Sequence, residues 1–401
     1  MSKRKLDTSL ERRAFCAGSL GLAALGLLPF ASYGEEGVEQ SRGFEAWRRD
    51  FEAGVPARMM AAKVPGTAVA IISKQASTRY VTAFGYADLK QKRVFTVDTP
   101  THQASVSKLF TASALVQLFE RRGYDLHADV NNFIDFSVRN PHQPDVPITP
   151  QQLLTHTSSI SDDGYGDFSS NGDPTQSLSS FLRNYLVKGG VAYSPDKSFL
   201  KAKPGAQWSY SNVAVALAGY VIESVSEQSF ASYLSSNIFE PLGIDNAHWY
   251  LREFAPNTLS KPYIFENKAF VELPQEGYPD VPAGMLRCSV SNLAKMLRAM
   301  IGGETGQRAI LSPRAVAAML RRQVDPAIVS YQGLGWVMEE IDGRQFVAHS
   351  GSDSGASNMV VLTEDQNHAV AVLMNIDSTE ENEEFRSAMI ENLLVGAKLS
   401  V

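Results

Sequence analysis

The chain has little that would cross-link it or draw it to nucleic acid. Only two cysteines, Cys16 and Cys288, occur among its 401 residues. Once the segment holding Cys16 is read as a removable leader, an internal disulfide is excluded and stability must come from packing. No long basic run lies outside the extreme N-terminus, and the formal charge is −6. That balance leaves no electrostatic footprint for nucleic acid, which is set aside as a partner. Internal repeats and low-complexity tracts are missing, and no Cys/His/carboxylate cluster has metal-ligand spacing, so a zinc site is unsupported. With 44% hydrophobic and 20% charged residues, the composition also excludes disorder, a coiled coil or a collagen-like rod. At this length two packed units, or one unit with a large insertion, is the expected organisation.

What is present begins with an address. Lys3, Arg4, Lys5, Arg12 and Arg13 precede an apolar stretch over 14–31, followed by Ser32, Tyr33 and Gly34 and an acidic segment. This layout predicts a signal peptide over 1–34 and an exported, periplasmic or extracellular, protein. Arg12-Arg13-Ala14-Phe15 is similar to a twin-arginine signal, while Glu11 and Cys16 depart from that consensus. Sec export and an uncleaved anchor stand as alternatives.

Apolar spacing predicts a helix over 44–63, stopped by Pro65-Gly66. Short Val-, Ala- and Ile-rich runs over 67–73 and 80–86 predict a β-hairpin. From 106 to 122 Leu109, Ala112, Leu115, Val116 and Phe119 form one helical stripe, with Gly123 as the stop. The middle, 126–276, alternates helical patterns with Pro/Gly-rich connections. Within it the Ser-, Asp- and Gly-rich stretch over 158–176 reads as a surface loop or lid. Further helices are predicted over 214–226, 230–238, 289–301 and 380–395, and strands over 335–340, 345–350, 358–362 and 369–375. The fold class expected is α+β: an antiparallel sheet flanked by helices from both chain ends, with a mainly helical domain inserted. The sheet domain is assigned 40–103 and 280–401, and the helical domain 104–279.

Three ordered pieces carry the chemistry. Ser105 and Lys108 form an S-x-x-K, a pattern that also occurs at Ser2, Ser194 and Ser198. Only Ser105 opens a strongly helical run, where i, i+3 spacing puts the lysine one turn below the serine. Free N–H groups at that helix mouth lie where an oxyanion would form. The competing reading makes Ser105 a simple N-cap. Among 14 tyrosines only Tyr210 has an asparagine, Asn212, two residues later. A tyrosine sharing a proton with a lysine can act as base toward the serine and as acid toward the leaving group; a core tyrosine is the competing reading. His349-Ser350-Gly351-Ser352 ends a strand-like run. There Gly351 would admit a substrate backbone, and the Ser352 N–H would complete an oxyanion hole with that of Ser105.

In this order the pieces resemble the active-site signature of the serine β-lactamase and penicillin-binding-protein superfamily: class C β-lactamases, D,D-carboxypeptidases, D-aminopeptidases and related esterases. Gly85-Tyr86-Ala87-Asp88-Leu89, the run Leu153 to Ser158, Pro241-Leu242-Gly243, Pro282-Ala283-Gly284 and Gly333-Leu334-Gly335-Trp336 are similar to landmarks of the same superfamily. The resemblance implies a β-lactamase/transpeptidase-like fold and a serine hydrolase that needs no cofactor. By it Ser105 is the nucleophile, and Lys108 and Tyr210 handle the proton. Asn212, His349 and Gly351 bind substrate, and the N–H groups of Ser105 and Ser352 form the oxyanion hole. Substrates are small molecules or peptides: an acyl ester, an amide or a β-lactam. His156 is read as structural. Class C enzymes carry lysine where this chain has His349, which points to a peptidase or esterase. Acyl transfer and a catalytically silent binding module are the competing functions. A histidine with an ordinary pKa near 6.5 would attract anionic substrates less as pH rises through that value.

Overall fold

The computed structural model describes residues 33–75, 80–166, 168–304, 306–341 and 343–399. The leader expected over 1–34 thus falls almost wholly outside the described residues. Seven antiparallel strands form the main sheet, and they come from the two ends of the described chain. The N-terminal strands are β1 (Gly66–Ser73), β2 (Tyr80–Asp88) and β3 (Arg93–Val94); the C-terminal ones are β4 (Val337–Ile341), β5 (Arg344–Asp353), β6 (Ala356–Thr363) and β7 (His368–Met374). Their order is β4-β5-β6-β7-β1-β2-β3. The closure is made by β1 on β7, with Val69 opposite Val372 and Ile71 opposite Val370.

β1 is buried at every position, because helices cover both faces. Val69 and Ile71 share a core with Phe51, Val55 and Met59 of α1 (Tyr33–Ala61) and with Phe385, Met389 and Leu393 of the closing helix Glu380–Lys398. Ala68, Ala70 and Ile72 face the other way, into a core shared with Leu293 of the helix Val290–Met300 and with Leu109 and Leu115 of α2 (Ser107–Arg122). Two-residue alternation along one strand thus assigns its side chains to two cores.

α2 differs from its expected form. A one-sided stripe was anticipated, yet every residue from Ser107 to Phe119 is buried. The helix is enclosed by other helices, chiefly α3 (Asn212–Ser226) and the short helix Val281–Gly284. Its polar side chains are satisfied internally: Thr111 Oγ1 donates to the Pro282 carbonyl at 2.7 Å, and Gln117 Nε2 to the Ile310 carbonyl at 2.7 Å. Gly123, at φ +67°, closes it as anticipated.

Two other expectations need correction. The stretch over 158–176 is a surface loop only in its later part, since Ser158, Ser159, Ile160 and Ser161 are buried. Its later part is tied down by Ser170–Asn171 pairing with Glu276–Gly277. The middle region also holds a β-hairpin, Tyr263–Glu266 with Ala269–Glu272, which its helical patterning hid. Asn267 and Lys268 make its turn at φ +51° and +63°, as a two-residue hairpin loop demands.

Candidate active site

Ser105 sits in a 3-10 turn, Ala104–Val106, that runs directly into α2. Ala104 is held at φ +50°, a left-handed conformation that costs an alanine about 1–2 kcal/mol. Buried Gln103 pins the turn. Its main-chain N–H donates to the Leu286 carbonyl at 2.9 Å, and its side chain donates to the carbonyls of Thr101 and Cys288 at 3.0 and 2.9 Å. Neither Gln103 nor Val106, at the two helix boundaries, makes a side-chain cap, so Ser105 is no N-cap. Its Oγ accepts instead from Tyr210 Oη at 2.8 Å and from Lys108 Nζ at 3.0 Å.

Lys108 is buried at 1% exposure. Besides Ser105, its Nζ donates to Asn212 Oδ1 at 2.8 Å and to the Ala283 carbonyl at 2.6 Å. It also lies 4.9 Å from the centroid of the Tyr210 ring. Three acceptors match the three N–H groups of an ammonium. If the amine is neutral, Asn212 and Ala283 take its two N–H groups and its lone pair faces Ser105. The same geometry therefore serves both protonation states.

The Tyr210–Asn212 segment is held from behind by His156, read from the sequence as structural, and by Asp162, whose part sequence reasoning missed. His156, at φ +55°, lies with its ring centroid 4.4 Å from that of Tyr210, and its Nδ1 accepts from the Ser211 N–H at 3.2 Å. Burial holds its pKa well below the usual value, and the charge of Lys108 adds to this. The ring is a neutral support. Asp162 accepts from Ser211 Oγ and the Asn212 N–H at 2.6 Å each, and from the Val213 N–H at 3.2 Å. It thus caps α3 with a carboxylate where the helix dipole favours one. Burial raises the Asp162 pKa, and these three hydrogen bonds oppose the rise. Ser211 in turn caps the Ala214 N–H at 3.0 Å.

The carbonyl that Lys108 uses belongs to the short helix Val281–Gly284, which begins after Asp280. Asp280 is buried and accepts from Tyr165 Oη at 2.6 Å. Burial pushes its pKa up to about 6. Tyr165 belongs to the 158–176 loop, so that loop is fastened beside the lysine's support.

β5 carries the third motif. β4 pairs with it only from Arg344 to Ala348, leaving its later residues with a free edge on that side. Gly351 has a local reason to be glycine beside the one anticipated. A Cβ there would meet the Gln103 carbonyl oxygen at 2.5 Å and the Ser105 nitrogen at 3.1 Å. The glycine lets the strand press on the Ser105 turn. His349 is buried, and its Nδ1 lies 2.6 Å from the Ser350 carbonyl, to which it donates. Burial, reinforced by Lys108, lowers its pKa to about 4. The expected titration near 6.5 is therefore displaced, and the ring is neutral at pH 7. The Ser352 hydroxyl pairs with Ser378 Oγ at 2.7 Å. In the ladder Ser352 lies opposite Ser357 of β6.

Comparisons with known proteins agree with this architecture. The chain is 25% identical to penicillin-binding protein 4* of Bacillus subtilis over 341 residues, covering 80% of this chain and 71% of that one. It is 23% identical to protein flp of Staphylococcus aureus over 333 residues, 82% of this chain, but spans only 62% of flp's length. The octameric penicillin-binding protein homologue from Pyrococcus abyssi superposes with a TM-score of 0.69 at 25% identity, over 86% of this chain and 77% of that one. Residues 51–393 match the Beta-lactamase family model, and the chain belongs to that family of serine hydrolases.

Proposed function

We propose that this protein cleaves an ester or amide through an acyl-enzyme on Ser105, more in the manner of an esterase than of the D,D-carboxypeptidase that the sequence equally allows. The observation that carries this reading is the convergence of Tyr210 Oη and Lys108 Nζ on Ser105 Oγ, at 2.8 and 3.0 Å. As the Oγ–carbon bond forms, the serine proton passes to the Tyr210–Lys108 pair. The carbonyl oxygen takes up negative charge and is met by the N–H groups of Ser105 and Ser352. The bond to the leaving group breaks as the stored proton moves to the leaving atom. Water then repeats the sequence and frees Ser105. Asn212 orients Lys108, and His349 and Gly351 shape the wall opposite.

A neutral His349 supplies no cation for a substrate carboxylate. Within this reading, esters and amides without a carboxylate beside the scissile bond are therefore favoured over β-lactams and D-Ala-D-Ala peptides. Export places the substrate in the periplasm or outside the cell.

Intact-mass analysis with a fluorophosphonate tests the proposal. One adduct on the wild type, none on Ser105→Ala, is expected; an unlabelled wild type, or a labelled variant, overturns it.

A further inference from the structure

Lys108 Nζ has two acceptors besides Ser105, Asn212 Oδ1 and the Ala283 carbonyl, and one short turn joins them from behind. On the first side, the Asn212 N–H donates to the Asp162 carboxylate at 2.6 Å. On the second, the Ala283 N–H donates to the Asp280 carbonyl at 2.8 Å. Tyr165 closes the gap. Its main-chain N–H donates to the Asp162 carbonyl at 2.8 Å, and its hydroxyl donates to the Asp280 carboxylate at 2.6 Å. Six hydrogen bonds, none longer than 2.8 Å, thus run in a closed ring from the lysine and back to it.

The turn over 162–165 is itself seated. The Gly164 N–H donates to the Lys197 carbonyl at 3.0 Å and to Tyr185 Oη at 3.1 Å, and that hydroxyl donates to the Ser161 carbonyl at 2.8 Å. The Tyr165 ring packs edge-on against Phe168 and Phe181, with centroids 5.4 and 6.0 Å away. Burial, reinforced by Asp280, holds the Tyr165 pKa well above its usual value, so its hydroxyl remains a donor.

An ammonium has three N–H groups. When Lys108 loses one proton, the ring holds the remaining two N–H groups and the lone pair is left for Ser105 Oγ, 3.0 Å away. With the ring open, the amine has no such constraint. We propose that Tyr165 and Asp280 are positioning residues for the proton transfer: by closing the ring they keep Lys108 aimed at Ser105. This rests on the acyl-enzyme reading above. Charge accompanies the geometry. Asp162 and Asp280 both interact with the Lys108 charge, Tyr210 lies beside it, and His156 and His349, which also feel it, are neutral. An ionised Asp280 favours the ammonium, and the Tyr165 hydroxyl favours the ionised Asp280.

The test follows kcat/KM for p-nitrophenyl acetate against pH, counted per site labelled by a fluorophosphonate. Tyr165→Phe keeps the ring packing and removes one hydroxyl. Its maximum should fall about tenfold, as for a slightly misplaced catalytic group. Its acid limb should move to lower pH by roughly one unit, because Asp280 without its donor takes up a proton sooner and no longer holds one on Lys108. Asp280→Asn keeps an acceptor for the tyrosine but no charge, so it should shift the limb as far and lose less of the maximum. A mere anchor for the loop would lower the urea midpoint and leave the limb in place. An unchanged maximum in Tyr165→Phe, or an unmoved limb in either folded variant, overturns the proposal, and Asp280→Asn carries the test where Tyr165→Phe fails to fold. The labelling separates the two readings: an unlabelled wild type defeats the acyl-enzyme mechanism, whereas labelling with unchanged profiles defeats only the positioning ring.

Discussion

Two helix N-termini meet at this site, and they are built in opposite ways. α3 begins conventionally: Ser211 caps the Ala214 N–H, and Asp162 takes the N–H groups of Asn212 and Val213. α2 begins with a strained Ala104 and no side-chain cap at either boundary, and the Ser105 hydroxyl faces Tyr210 and Lys108. Polar groups at the first end are spent on holding the helix, and those at the second meet other side chains, as the proposed acyl-enzyme chemistry needs. The strain at Ala104 persists because Gln103 and Gly351 lock the turn from both sides, as expected where a functional site over-determines its backbone.

The largest effects should come from the reactive terminus. Ser105→Ala should lower ester hydrolysis by at least about 10⁴-fold, given the cost of removing a serine nucleophile elsewhere. Residual turnover, measured with p-nitrophenyl acetate, should be no faster than that of a heat-denatured sample. Tyr210→Phe keeps the ring on His156 but removes the hydroxyl, and should lower kcat by about 10²–10⁴-fold, the usual worth of acid–base catalysis. An unchanged kcat in Tyr210→Phe would shift the reading toward a binding module that merely kept the cleft.

The supporting terminus should report in stability as well as rate. Asp162→Asn turns an amide toward backbone N–H groups that now meet a carboxylate. Losing charge-assisted bonds of this kind costs about 1.5–3 kcal/mol each, so urea denaturation should show a clear fall. The serine adduct should also form more slowly, because Asn212 no longer presents Oδ1 firmly to Lys108. Ser211→Ala loses the cap on Ala214 and one of the three bonds to Asp162 but leaves the two main-chain ones, so it should cost less than Asp162→Asn. Equal losses in the two variants would remove the distinction between a charged and an ordinary cap.

The same contrast governs what the sequence makes legible. Alternation and helical spacing are local, so the strands, their order-giving turns and α2 can be read from it. The S-x-x-K, Y-x-N and His-x-Gly pieces are likewise short strings. Asp162 is an aspartate in a Ser-, Asp- and Gly-rich stretch, with no periodicity to mark that it folds back 50 residues along the chain onto α3. His156 sits in a recognisable run, but nothing local shows that its ring lies on Tyr210. Burial is also invisible in a string of letters. For that reason α2 looked one-sided, and His349 looked like an ordinary histidine.

The smallest expected effect concerns that histidine. With an unfolded-state pKa near 6.5 and a folded value of about 4, His349 binds no proton in the folded enzyme between pH 6 and 8. Its contribution to stability is full above about pH 6.5 and declines as pH falls toward 4, because the unfolded chain takes up a proton that the native site refuses. Asp280, raised to about 6 by burial, acts in the opposite sense over the acid range, since the native state protonates it first. The net stability slope from these two groups between pH 4 and 6 is therefore shallow. Catalysis separates them. The ratio of kcat/KM for a carboxylate-bearing ester to that for its methyl ester depends on the charge of the pocket and not on the chemical step. It should stay flat from pH 6.5 to 8. A ratio falling through pH 6–7 would mean that His349 titrates normally, and that the wall opposite Ser105 is wetter than its burial implies.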